Sequence, residues 1–285
     1  MIYLLASILS SSMIYVVFRI AKNYQCRLST LITYNYLAAT LLGLLLFHPF
    51  KNTTFQQTYT WLPYGILLGV LFIALFFLIG TSSQKAGITI TTLANKLSLV
   101  FPVLFSILFY KEDISTIKYI GLVGAFIAIA LTVYKKDARK IKLILIALPL
   151  LIFLGSGTVD TIVKFVQAEK ITANEASAYS TIVFFVAFLC GATLQLFSKS
   201  VFKPGFHLPT LSLGVFLGAV NFGSLYFIIL ALNHSGLKSS MVFALNNMSI
   251  VALTALFGTL IFREKLNKIN FAGIILAIIS LYFLL

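Results

Sequence analysis

The chain has 285 residues, of which 60% are hydrophobic and only 10% are charged. A soluble domain carries about 25% charged residues, so this composition excludes an ordinary soluble protein and places many apolar side chains against lipid. The net charge of +14 comes mostly from basic loops between apolar segments. Such loops are typical of topology signals and anionic-lipid contacts, and we expect no nucleic-acid partner.

Ten segments along the chain are apolar enough to form transmembrane helices, which need about 20 residues each. In chain order they cover residues 2–20, 30–47, 62–80, 87–109, 115–134, 142–165, 173–197, 209–233, 237–261 and 267–285. The first segment has neither a basic leader before it nor a small-residue cleavage site after it. We therefore expect it to be a span and not a signal peptide.

An internal repeat relates residues 93–127 to residues 245–279 at a constant shift of 152 residues. The repeated positions include polar and small residues: Asn95 and Asn247, Glu112 and Glu264, Gly121 and Gly273. Apolar matches are common in such a composition, but a basic–Glu turn followed by Gly nine residues later is rare. The match therefore indicates two homologous halves.

Each half holds five predicted spans, and because five is odd the second half enters the membrane in the opposite orientation. We predict an all-α polytopic membrane protein of ten transmembrane helices, built as two inverted five-helix repeats. The repeats cover residues 1–140 and 141–285. Inverted repeats are a recurrent design of secondary transporters, because two near-equivalent halves can exchange conformations and open either side of the membrane.

A few charged and polar side chains lie inside predicted spans, where a charge is costly and commonly functional. Lys96 and Asn95 lie on the polar face of span four, and Asn247 repeats this arrangement in span nine. For Lys96 the alternative is snorkelling or a structural ion pair, and for Asn247 it is a helix–helix hydrogen bond. Asp160 in span six has two open interpretations: an intrahelical pair with Lys164, or a proton site and counter-charge of Lys96.

Three further side chains complete the predicted substrate site: Tyr15 in span one, Tyr34 in span two and Asn221 in span eight. At a weaker repeat shift of 145 residues, Tyr15 falls on Asp160. Mid-span Tyr and Asn also commonly hydrogen-bond between helices, which is the structural alternative for these positions. The pairs Gly121/Gly124 and Gly214/Gly218 indicate close helix packing.

Enzyme motifs are missing from the sequence. We find no His-Glu-x-x-His, no Gly-x-Ser-x-Gly and no P-loop, so we expect neither an enzyme nor ATP hydrolysis by this chain. The three histidines and two cysteines form no metal-ligand pattern and no disulfide framework. We therefore predict no cofactor and no metal, and any uphill transport must use an ion gradient or exchange.

Two turns carry the strongest motifs, Phe109-Tyr110-Lys111-Glu112 and Ile261-Phe262-Arg263-Glu264, each followed by its Gly. With the ten-span layout, they resemble the EamA-like branch of the drug/metabolite transporter superfamily over essentially the whole chain. The resemblance implies export or exchange of amino acids, metabolites or drugs. Ala94-Asn95-Lys96 also resembles the Asn-Lys signature of sugar-nucleotide carriers, although those carriers use it in their second half. That likeness implies that positions 95 and 96 face the cavity.

We therefore expect a secondary transporter, an exporter or exchanger in the cell (inner or plasma) membrane, that moves a small polar metabolite such as an amino acid by alternating access. The expected partners are the solute, protons as coupling ion and membrane lipid, with the chain as monomer or homodimer. Two alternatives remain. A lipid or lipid-linked carrier flippase predicts a cavity open sideways to lipid, and a non-transport scaffold or receptor predicts a bundle without a central cavity.

Overall fold

The computed structural model describes residues 1–47, 60–109, 111, 115–134, 144–171, 175–197, 207–235 and 239–284. Regular secondary structure in these ranges is α-helical throughout. The helices are α1 (Ile2–Asn23), α2 (Leu28–Phe47), α3 (Leu62–Lys85), α4 (Ile88–Leu97), α5 (Val100–Phe109), α6 (Thr116–Val133), α7 (Ile144–Glu169), α8 (Ala176–Phe197), α9 (Leu208–His234), α10 (Ser239–Leu260) and α11 (Lys268–Phe283).

Seven segments are helical, long and apolar enough to cross a membrane. They are Ile2–Asn23, Leu28–Leu46, Leu62–Lys85, Ile88–Phe109, Ile144–Val166, Ala176–Phe197 and Leu208–Ala231. Three shorter helical stretches are also apolar: Thr116–Thr132, Leu245–Leu260 and Lys268–Phe283. The chain is therefore a multi-pass membrane protein whose regular secondary structure is helical throughout the ranges given above. Several helices run beyond the predicted spans, and α1, α3 and α7 each end three to five residues later.

The predicted span over residues 87–109 corresponds to the apolar stretch Ile88–Phe109, but its helix is broken: α4 ends at Leu97 and α5 begins at Val100. Pro102 has no N–H with which to bond the carbonyl of Ser98, four residues earlier, and its ring crowds that carbonyl. The N–H of Phe101 donates to the Ser98 oxygen instead, at 2.9 Å. The Ser98 hydroxyl turns back to the Asn95 carbonyl at 2.5 Å. The span is therefore two half-helices joined at Ser98 and Leu99.

Small residues let several helix pairs approach closely, as the paired glycines predict. On α6, a Cβ at Gly121 would lie 3.0 Å from the Ser280 carbonyl of α11, and one at Gly124 would lie 2.5 Å from the Ser280 hydroxyl. On α9, Gly214 faces Tyr34 of α2 in the same way. Lipid is as apolar as the side chains it meets, so this close van der Waals packing, and not hydrophobic burial, holds such helices together.

An asparagine adds polar contacts between α6 and α11. Asn270, in the first turn of α11, donates through its amide to the carbonyls of Leu131, Thr132 and Tyr134 at 2.9–3.1 Å. Its amide oxygen accepts the N–H of Asn267, which closes a capping box at the start of α11. The last carbonyls of α6, which have no partner within their own helix, are therefore bound by the neighbouring helix.

The basic–Glu turns share a backbone conformation. Lys111 and Arg263 both adopt the left-handed region, with φ of 53° and 50°. After Arg263, the Glu264 carboxylate reaches the start of α4 and accepts the N–H groups of Ile88 at 2.5 Å and Thr89 at 3.2 Å. We call this contact the Glu264 cap.

The cap depends on a glycine at the start of α4. Gly87 has a φ of 107°, and a Cβ there would lie 2.6 Å from a carboxylate oxygen of Glu264. The cap joins the turn after α10 to the N-terminus of α4, where a negative charge is favourable. Tyr110 and Glu112 of the first turn lie outside the described residues.

Candidate functional site

A chain of side-chain hydrogen bonds crosses three helices inside the bundle. The Tyr15 hydroxyl of α1 donates to the Asn95 amide oxygen of α4 at 2.9 Å. The Asn95 amide nitrogen donates to the Ser156 hydroxyl of α7 at 2.8 Å. Both amide atoms of Asn95 therefore form hydrogen bonds, and both partners, Tyr15 and Ser156, are buried. These two hydrogen bonds link α1, α4 and α7 to one another.

The charged residues Lys96 and Asp160 lie beside these hydrogen bonds, near the break between α4 and α5. The Ser98 hydroxyl donates to an Asp160 carboxylate oxygen of α7 at 3.0 Å. Lys96 and Tyr15 both lie near this carboxylate. Lys96 sits in the last turn of α4, where the helix dipole favours a cation. For Asp160, the pair with Lys164 and the role as counter-charge of Lys96 both stay predictions.

Three of these side chains are not fully enclosed by the bundle. Asp160 is exposed, and Asn95 and Lys96 are half-buried, although each lies on a helix that is mostly apolar. A cation, an anion and an amide are therefore offered side by side at mid-span. We call Tyr15, Asn95, Lys96, Ser98 and Asp160 the polar cluster.

Asn247 lies on α10, which packs against both α1 and α4. It is half-buried, and the neighbouring Asn246 is buried with an amide oxygen that has no hydrogen-bond partner. The packing of α10 on α4 places the helices of the repeat-equivalent residues Asn95 and Asn247 in contact. A substrate contact by Asn247 stays a prediction.

The structure places Tyr34 and Asn221 at the contact between α2 and α9. The Asn221 amide lies 3.2 Å from the Asn35 amide of α2, within hydrogen-bonding distance, and Asn221 is buried. Tyr34 packs its Cβ against Gly214 of α9. Both contacts are of the helix–helix kind that was the structural alternative for these residues, and a substrate role for either stays a prediction.

Two members of the hydrogen-bonded arrangement were not among the predicted site residues. Ser98 follows Asn95 by three positions and Ser156 precedes Asp160 by four, so each shares a helix face with a predicted residue. That spacing was a usable signal. The partners themselves come from different helices, and spacing within one helix could not identify them.

Among the described residues, no group of three or more His, Cys, Asp or Glu side chains is placed to hold a metal ion. Cys26 and Cys190 are free thiols. The polar cluster holds a cation, a carboxylate, one amide and two hydroxyls, groups that can bind a polar molecule through hydrogen bonds and charge.

Comparison with known proteins agrees with this fold. Residues 1–134 match the EamA-like transporter family. An uncharacterised protein of Haemophilus influenzae is 29% identical over 294 residues, covering 99% of this chain and 97% of that protein. A solved crystal structure of another protein superposes on this chain with a TM-score of 0.58 at 12% sequence identity. The alignment covers 99% of this chain and 96% of that one. That structural likeness establishes a shared fold. The resemblance to EamA-like transporters is thus confirmed over residues 1–134, which contain the first of the two turn motifs.

Proposed function

We propose that this protein is a secondary transporter that moves a small polar metabolite, such as an amino acid, across the cell membrane by alternating access. The observation that carries the proposal is the polar cluster. Lys96 and Asp160 are ionisable side chains within the spans, where charge is expensive and commonly marks a solute or ion pathway.

The break between α4 and α5 supports the same function. Non-helical backbone at membrane depth is tolerated where it is buried in protein or lines a cavity, and discontinuous helices build the binding sites of many transporters. Here the break lies at Ser98, whose hydroxyl bonds to Asp160. The irregular backbone and the charged pair therefore occupy one place in the bundle.

The proposed roles follow from charge and hydrogen-bonding capacity. Lys96 attracts a carboxylate or another acidic group of the solute. Asp160 binds an ammonium group or takes up the coupling proton. Asn247 hydrogen-bonds the solute, and so does Asn95 through the one N–H and the one oxygen lone pair that its bonds to Ser156 and Tyr15 leave unused. A zwitterion satisfies Lys96 and Asp160 together, which favours an amino-acid-like solute. Tyr15 holds Asn95 in place through its hydroxyl.

We further propose the ten-span layout, with inverted repeats in residues 1–140 and 141–285. It is supported by the shared left-handed conformation of Lys111 and Arg263 and by the packing of α4 on α10. In this layout the second repeat is also EamA-like, and the chain acts as an exporter or exchanger, as a monomer or homodimer.

The test combines ligand binding with transport. Purified protein is screened against a metabolite library by thermal shift, since a ligand at 100 times its Kd stabilises the folded state by about 2.7 kcal/mol. Hits are then measured for counterflow in proteoliposomes. We expect Lys96→Ala and Asp160→Asn to lose both signals, and Lys85→Ala, an exposed lysine at the end of α3, to keep them.

Other outcomes would contradict the proposal. Full counterflow by a folded Lys96→Ala variant would show that the pair is not the solute site. Silence across the library, with lipid transfer between leaflets in the same vesicles, would favour the flippase alternative. Silence in both assays would favour a scaffold or receptor.

A further inference from the structure

A groove runs between α3, α5 and α7 on the outside of the bundle, with a volume of about 260 Å³. Its walls include Tyr64 and Leu67 on α3, Phe105 and Phe109 on α5, and Thr161 and Phe165 on α7. Leu67 is 47% exposed and Phe109 is 64% exposed, so the groove opens away from the protein interior. In a membrane, that opening meets lipid.

The lining of the groove suits hydrocarbon. Four aromatic rings border it, and the rings of Tyr64 and Phe165 pack at 5.6 Å while those of Phe105 and Phe109 stack at 4.9 Å. The Thr161 hydroxyl donates a hydrogen bond to the Gly157 carbonyl at 2.7 Å, so its proton is not left without an acceptor. The surface that lines the groove is entirely apolar, which suits an acyl chain.

A basic residue stands at one end of the groove. The Lys170 ammonium nitrogen lies 5.7 Å from the centre of the Phe165 ring, just beyond the end of α7 at Glu169. The start of α3 at Leu62 and the end of α5 at Phe109 are at the same level, because all three helices contribute groove residues near these ends. Aromatic rings beside a lysine at helix ends are typical of the membrane–water interface.

We propose that this groove binds an anionic phospholipid, with an acyl chain between α3, α5 and α7 and the headgroup phosphate at Lys170. A phospholipid fits both parts, since its chain matches the apolar walls and its phosphate the ammonium group. The groove and the polar cluster share α7, because Thr161 directly follows Asp160. The lipid site stands without the proposed transport function, since it is argued from other residues.

The test is native mass spectrometry of the detergent-purified chain titrated with phosphatidylglycerol or phosphatidylcholine of matched chains. We expect Leu67→Trp, which fills the groove, to weaken binding of the first lipid about tenfold by displacing methylene groups. The matched control is Ile66→Trp, since Ile66 is 48% exposed but lies outside the groove lining. Thr161→Leu fills the groove from α7 and serves if Leu67→Trp fails to fold.

The headgroup is tested separately. Lys170→Gln should reduce the preference for phosphatidylglycerol over phosphatidylcholine about fivefold, the contribution of one lysine near a membrane surface. Lys85→Gln should leave that preference unchanged. Equal lipid binding by Leu67→Trp and Ile66→Trp overturns the proposal, and so does an unchanged preference in Lys170→Gln. A wild-type dimer that only Leu67→Trp disrupts would also overturn it, since a second copy of the chain would then occupy the groove.

Discussion

Removal of the Glu264 carboxylate should destabilise the fold more than any loss of an ordinary surface charge. The carboxylate accepts the N–H groups of Ile88 and Thr89, and both residues are buried. A buried donor left without an acceptor costs about 1–3 kcal/mol, so Glu264→Ala should cost about 2–6 kcal/mol. Glu264→Gln keeps one acceptor oxygen and should cost roughly half as much.

The assay is thermal unfolding in detergent, and the readout is the loss of the monodisperse size-exclusion peak as the temperature rises. One kcal/mol lowers the midpoint by about 2 °C in a chain of this size, which predicts a fall of about 4–12 °C for Glu264→Ala. Lys265→Ala is the matched control, because Lys265 is the exposed neighbour in the same turn and should shift the midpoint by about 1 °C at most. Equal midpoints for the two variants would refute the cap.

Two further predictions concern α7 and the polar cluster. Gly157→Ala should destabilise the folded protein by about 1–3 kcal/mol, because its new methyl group overlaps the Phe101 ring of α5. Gly155→Ala is the control, since its Cβ would meet nothing closer than 3.4 Å, and it should be neutral or slightly stabilising in the same unfolding assay. A larger destabilisation by Gly155→Ala than by Gly157→Ala would contradict this packing. Tyr15→Phe should cost about 1–3 kcal/mol, because the Asn95 amide oxygen loses its donor. A midpoint equal to wild type would mean that the Tyr15 bond is dispensable.

The membrane-spanning helices could be predicted because the physics that sets them is local. An apolar run of about 20 residues has few other stable structures in lipid. The glycine pairs on α6 and α9 were predictable for a similar reason, since a residue without a side chain in such a run is there for close approach. The ends were harder, and α3 continues to Lys85 through a polar sequence that hydropathy alone does not extend.

The contacts of the candidate site could be predicted only in part. Lys96 and Asp160 stand out in any hydropathy profile, so their importance was visible. Their proximity was not, because residues 64 positions apart meet only once α4 and α7 have packed. Asn221 shows the opposite case. An amide in a span has the same appearance in sequence whether it binds a solute or, as its distance to Asn35 indicates, a neighbouring helix.

The break at Ser98 divides one membrane crossing into two segments. α4 is bound at its start by the Glu264 cap and along its length to α1 and α7 through Asn95. α5 is almost wholly apolar and packs on α7. The two halves of this crossing are therefore held by different interactions: α4 by hydrogen bonds to its neighbours, and α5 by van der Waals packing of its apolar side chains on α7.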